Sequence, residues 1–413
     1  MIRSAPERAD VVLGLIPLTD CAPLAVAVER GFFADEGLRV TTSRERSWAA
    51  VRDKVAYGVL DGAQMIAPML LATTLGVNGV RRPLLTGVSL GLNGNAVTLS
   101  VALSEAVEAA APATAGTAPL SAEGVLAEVR RRERDDRPRL RFGIVFGGST
   151  HEFELRYWLA AAGVDPDHDV ELIVVPPPRM AAALAAGELD GFCVGEPWNS
   201  VAVAEGVGRV AITKRQLQGA GPEKVLGVTA GWAERHPATH AALIRAIVAA
   251  ARWVQAEENR DRTAEILAQP QYVGEPAEII ARSLRGRFRT GREPLGVPPT
   301  PDASFHVFAG EGVNRPDRRH AVWFLLELLR WGMLKRPLDV GRVAAEVYRD
   351  DLFDAATGEA PRPPAGGDAV AEATLRLFDG RGPDPARPLD YLAGCGLHRL
   401  RVPLPELLAA NAG

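Results

Sequence analysis

Asp61 and Asp190 are the first residues in this 413-residue chain to suggest chemistry, because each sits in the same frame. The segments GVLDGAQMIAP (Gly58 to Pro68) and GELDGFCVGEP (Gly187 to Pro197) both read G-x-L-D-G-x5-P. Paired carboxylates can divide acid and base roles between them. An aspartate repeated within one turn has a simpler use, because its side chain can bond nearby backbone N–H groups. A second chemical opportunity is the stretch Gly147-Gly148-Ser149-Thr150-His151, which opens into a helix pattern. Unpaired N–H groups at a helix start carry partial positive charge and suit an anion. Thr19 and Asp20 occupy the corresponding loop in the first half of the chain. The fingerprints H-E-x-x-H, G-x-x-x-x-G-K-[ST] and strand-linked G-x-G-x-x-G do not occur, and the seven histidines are dispersed. Cys21, Cys193 and Cys395 show no CxxC spacing, which argues against a structural zinc or a disulfide framework. These features point to binding rather than catalysis, with no cofactor and no metal.

The elements that position these residues also repeat. LGLI (Leu13 to Ile16) matches FGIV (Phe142 to Val145) at the same 129-residue offset as the two Asp frames. That period is far longer than the roughly 20–50 residues of a solenoid unit and is about one domain long. Short apolar runs alternate with helix patterns from residue 11, and again from residue 140. This order predicts an α/β fold with largely parallel sheets, in two similar lobes facing a cleft. Ligands settle in such clefts, at the carboxyl ends of the strands. The expected division assigns 1–103 and 214–413 to lobe one, with a helical C-terminal part, and 104–213 to lobe two. Residues 105–138, rich in Ala, Pro, Thr and Gly at their start, read as an insertion or linker.

Composition is that of a globular protein, with 47% hydrophobic and 24% charged residues. A net charge of −4 gives no reason to expect contact with nucleic acid or an anionic membrane. No window of about 20 apolar residues is present to span a bilayer. Arg3, Glu7, Arg8 and Asp10 precede any apolar run, unlike a secretion signal. With Met1 as the native start, the expected location is the cytoplasm.

The segments LTDCAPLAVAVERGFFADEGL, SWAAVRDK, LDGAQMIAPM, GLNGNAVTLS, GSTHEFELRYWLAAAG, DGFCVGEPWN and PEKVLGV follow one another from about residue 11 to 230. As a set they resemble the nitrate/bicarbonate-binding family of ABC-transporter substrate-binding proteins. The resemblance implies a type II periplasmic-binding-protein fold that closes on a small oxyanion. Without an export signal the chain is more similar to the cytoplasmic NasS-type nitrate sensors. That branch implies a protein partner, a NasT-like RNA-binding antiterminator, released when nitrate or nitrite binds. The same-fold alternative is an exported binding protein of a nitrate, or less favourably bicarbonate, transporter. A cofactor-biosynthesis enzyme on this fold is the alternative from another class.

Matched motif by motif, the resemblance implies five ligand-binding residues. Trp48 offers an indole N–H, and Asn95 an amide where nitrate-binding relatives often carry a longer one. His151 stands beside a helix start, Lys224 supplies the one fixed positive charge, and Gln64 is a secondary donor. Bicarbonate-binding relatives place an acid near Lys224 and use calcium, so the lysine implies a bare anion. Each residue also has an ordinary reading: helix-start packing for Trp48, capping for His151, a turn for Asn95, a surface position for Lys224. Glu196-Pro197-Trp198 reads as support for its loop. A buried, unpartnered lysine would cost several kcal/mol, so the anion is expected to supply its counter-charge and drive closure.

Overall fold

β1 (Asp10–Leu15), the first apolar run, lies inside a sheet, between two other strands, because burial on both faces suits such a sequence. The computed structural model describes residues 5–110, 119–293, 302–359, 375–384 and 386–411. β1 pairs in parallel with β2 (Arg39–Arg44) and β3 (Gly62–Ile66). β4 is Leu84–Leu85, β5 is Leu92–Asn93 and β6 is Asn95–Ser100. β7 (Leu140–Ile144) pairs in parallel with β8 (Val170–Val174) and β9 (Gly191–Gly195). β10 is Gly208–Thr213, β11 is Lys224–Thr229 and β12 is His306–Val307.

The two five-stranded sheets run β2-β1-β3-β11-β4 and β10-β6-β9-β7-β8. Each holds a parallel triplet whose third strand pairs with one antiparallel strand brought in by a crossing of the chain. The repeated frame therefore marks a repeated lobe. Its aspartate does the same work twice. Asp61 N donates to Val12 O at 3.0 Å, while Val12 N donates to Asp61 Oδ2 at 2.8 Å. Asp190 N and Arg141 N form the same reciprocal pair, both at 2.8 Å. The expected turn bond is thus a clamp onto the first strand of the lobe's parallel triplet, not a local contact.

The first crossing occurs at Asn93-Gly94, ten residues before the expected boundary at 103/104, because β6 already pairs with β9 of the second sheet. Asn93 (φ 65) and Gly94 (φ 88) both adopt left-handed backbone. A Cβ on Gly94 would lie 2.7 Å from the His306 ring. Asn93 also ties the crossings together: its Oδ1 accepts from Gly221 N at 2.8 Å, and its N donates to Gly221 O at 2.9 Å.

Residues 105–138 are not a linker where they are described. The helices Val101–Ala110 and Glu123–Arg134 pack together so closely that a Cβ on Gly124 would meet Val107 O at 2.6 Å. Residues 111–118 lie outside the described residues. The C-terminal helices were expected to cover lobe one. The helix Arg318–Arg330 packs on Ala67–Leu75 of that lobe, but it also reaches lobe two. Trp323 meets Phe153 edge to face at 6.4 Å, and Arg330 lies over the Tyr157 ring at 5.2 Å. The late stretch RPPAGGDAV falls outside the described residues.

Candidate ligand site between the lobes

The lobes meet directly. Thr19 N donates to Glu196 O at 2.7 Å, and Trp198 Nε1 donates to Pro17 O at 2.9 Å. Glu196-Pro197-Trp198 is therefore a clasp between lobes as well as loop support. Behind it, both lobes send charged side chains into one buried cluster.

Lys224 opens β11, opposite Ile66 at the end of β3, and is 1% exposed. Its Nζ lies 3.0 Å from Asp20 Oδ2 and bonds Glu223 Oε1. It also stands 5.4 Å from the ring centroid of Trp48, within cation–π range. Trp48 is held there as the first residue of the helix Trp48–Ala56, whose N-cap is Ser47, with its Oγ accepting from Ala50 N at 3.2 Å. Lys214 opens the helix Lys214–Gln218, which packs on β10 and β6 and so belongs to the second lobe, not to lobe one as expected; its Nζ reaches Glu154 Oε1 at 2.5 Å and Glu223 Oε2 at 2.6 Å. Asn95 Nδ2 donates to Glu223 Oε2 at 2.9 Å and contacts both Glu154 oxygens at 3.2 Å.

His151 and Thr150 begin the helix Thr150–Ala161. Ser149 Oγ accepts from Glu152 N, and Gly148 N donates to Glu152 Oε2 at 2.6 Å. Those backbone donors are taken up locally, so the loop presents side chains to the cleft. Thr150 Oγ1 donates to Glu223 Oε1 at 2.9 Å, and His151 Nε2 lies 3.7 Å from the same oxygen.

Trp48, Asn95, His151 and Lys224 are thus brought together, from both lobes. Two expectations need correction. Lys224 is not a lone cation: Asp20 and Glu223 pair with it, and Lys214 is a second ammonium group. Gln64 is not a free donor, because its Oε1 accepts from Ile16 N at 2.8 Å and its Nε2 bonds Asp20 Oδ1. It holds Asp20 in place. The missed members are Glu154, Lys214 and Glu223. Glu154 lies three residues after His151, on the helix face the cleft uses, and Glu223 adjoins Lys224.

Burial pushes the Asp20 and Glu154 carboxyls up against the pull of Lys224 and Lys214. At Glu223 the same burial is outweighed by Lys214, Lys224 and His151, which hold it far below the usual range. Burial, and then Lys224, keep His151 neutral. Thr19 Oγ1, Trp48 Nε1, Asn95 Oδ1 and His151 Nε2 are buried polar atoms without a hydrogen-bond partner. Such atoms are uncommon; others occur elsewhere among the described residues, and these four belong to residues in or beside the cluster.

Two α/β lobes with a buried polar cluster drawn from both define a two-lobed substrate-binding protein of the periplasmic-binding-protein type. Residues 4–268 match the NMT1-like family. The nitrate/nitrite binding protein NrtA of Synechococcus elongatus is 34% identical over 402 residues, 94% of this chain and 87% of that protein. The nitrate import ATP-binding protein NrtC of Synechocystis sp. PCC 6803 is 38% identical over 95% of this chain. The chain spans only 56% of that relative's length. The crystal structure of the periplasmic nitrate-binding protein NrtA from Synechocystis PCC 6803 superimposes with a TM-score of 0.86 at 30% identity, covering 95% of this chain and all of that one. The chain belongs to the NMT1-like family, among its nitrate/bicarbonate-binding substrate-binding proteins.

Proposed function

We propose that this protein binds nitrate or nitrite between its lobes and acts by binding rather than by catalysis. The observation that carries this reading is the convergence of Lys224, Trp48, His151 and Asn95 from both lobes, with unpartnered buried polar atoms among them. A planar monoanion offers acceptors only, so it suits an ammonium group and indole and imidazole N–H donors. The relatives named for nitrate support the same ligand class. Calcium-assisted bicarbonate binding fits less well, because a divalent cation would stand against both Lys214 and Lys224. Calorimetric titration with nitrate, nitrite and bicarbonate, each with and without calcium, tests this. Calcium-dependent bicarbonate binding without nitrate binding overturns it.

We infer further that the bound anion is read as a signal. Closure on nitrate or nitrite alters the surface offered to a NasT-like antiterminator in the cytoplasm and releases it, so that nitrate assimilation begins. The likeness to NrtA over most of its length supports the alternative, delivery of the same anion to a transporter. Both uses follow from differential binding to open and closed states. Cell fractionation and nitrate-sensitive co-purification with the antiterminator separate them. Recovery from the periplasm or membrane fraction rejects the sensor.

A further inference from the structure

We propose that the Glu223 carboxylate is a tethered stand-in for the ligand, and that an incoming oxyanion binds by displacing it. This rests on the oxyanion-binding reading of the same site. A carboxylate is planar and singly charged, with acceptor oxygens only, as nitrate is. Of the three polar residues, apart from the indole, that the nitrate reading needs at this place, Glu223 bonds Lys224 and Asn95 and faces His151. Its Oε1 accepts from Lys224 and from Thr150 at 2.9 Å, and faces His151 Nε2 at 3.7 Å. Its Oε2 accepts from Asn95 at 2.9 Å and Lys214 at 2.6 Å. An anion cannot take the place on Lys224, Thr150, Asn95 and Lys214 until Glu223 gives it up, and the same move opens the way to the unpartnered His151 Nε2.

Charge makes displacement necessary. Asp20, Glu154 and Glu223 already stand against only two ammonium groups, Lys214 and Lys224. A further monoanion beside an unmoved Glu223 would meet net repulsion in a medium that screens charge weakly. With Glu223 withdrawn, one negative charge leaves as one enters. The exchange therefore favours singly charged oxyanions over sulfate. Glu223 also bridges the lobes, joining β11 of the first to Thr150, Asn95 and Lys214 of the second. Nitrate and Glu223 thus bridge the lobes in turn, and the form closed on nitrate differs from the one Glu223 holds.

The test compares wild type with Glu223→Gln by calorimetry with nitrate and by small-angle scattering in nitrate-free buffer. Glu223→Gln is expected to bind nitrate at least about tenfold tighter, the equivalent of one competing charge-assisted bond. It is also expected to be more expanded than wild type until nitrate is added. Nitrate binding by the variant alone supports the exchange as well. Unchanged or weaker nitrate binding by the variant, with wild type binding normally, overturns it and makes Glu223 a support for Lys224. Should neither protein bind nitrate, the ligand reading fails; scattering then decides, and equal dimensions overturn the exchange. Should Glu223→Gln not fold, Glu223→Asp withdraws the carboxylate by one methylene. It is expected to bind nitrate several-fold tighter than wild type, and weaker binding is the overturning result.

Discussion

Lys224 Nζ lies 3.0 Å from Asp20 Oδ2, and the pair is buried where β11 meets the loop after β1. The lysine is therefore stabilised before any ligand arrives. Replacing it with Gln leaves Asp20 and Glu223 facing each other without their shared cation. Removing one partner of a buried pair costs about 3–5 kcal/mol. Lys224→Gln is expected to unfold at correspondingly lower urea and to show no nitrate heat. Lys224→Glu, which adds a third carboxylate at the same point, is expected to be worse in both measurements.

Trp48 separates ligand binding from stability more cleanly. Its Nε1 is buried with no hydrogen-bond partner, while its ring packs in the core and faces Lys224. Phe keeps an aromatic face and deletes the donor. A hydrogen bond to a charged group contributes about 1.5–3 kcal/mol. Trp48→Phe is therefore expected to weaken nitrate binding about 10- to 100-fold, while the smaller buried ring lowers the unfolding free energy by only about 1–2 kcal/mol. Unchanged affinity in calorimetry would show that the indole N–H does not meet the anion.

The lobes were legible in the sequence because Asp61 and Asp190 must each reach the first strand of their own parallel triplet, and the same frame does this twice. The polar residues Asn95, His151 and Lys224 were legible only through motifs shared with a family. Glu154, Lys214 and Glu223 escaped because a charged side chain in a sequence looks like a solvated one. Lys214 stands in TKRQLQ, a pattern that reads as exposed helix, and only partners 60 and 9 residues away make it an interior residue. The boundary at 103/104 failed for a related reason. The pairing that assigns β6 to the second sheet lies nearly a hundred residues along the chain.

The two aspartate clamps are equivalent in backbone geometry and unequal in side-chain company. Asp61 also accepts from Arg8 and from Trp232 Nε1, and is 8% exposed, whereas Asp190 is 20% exposed beside Arg132. Truncating either strands a strand N–H, at about 1–3 kcal/mol. Asp61→Ala is expected at the upper end and Asp190→Ala at the lower, read from urea unfolding. Nitrate affinity of the folded variants should be unaltered. A loss of binding without loss of stability would return these carboxylates to the ligand site.

Glu196 gives the clasp between the lobes a pH dependence. Its backbone oxygen accepts from Thr19 N, while its side chain is buried and accepts from Ser200 Oγ at 2.5 Å. Burial pushes its carboxyl up to about 7 from 4.5, despite the bonds from Ser200 and Asn199. An acid whose folded pKa lies above its unfolded value holds its proton more tightly when folded. The folded state is therefore favoured below about 4.5, loses that advantage between 4.5 and 7, and loses nothing further above 7. At 1.36 kcal/mol per pH unit the loss is about 3 kcal/mol. Glu196→Gln has no proton to lose, so its unfolding free energy should exceed that of wild type at pH 8 and approach it near pH 5. Urea titrations of both proteins across that range measure the difference. A gap that stays constant from pH 5 to pH 8 would show that Glu196 keeps an ordinary carboxylate's affinity for its proton.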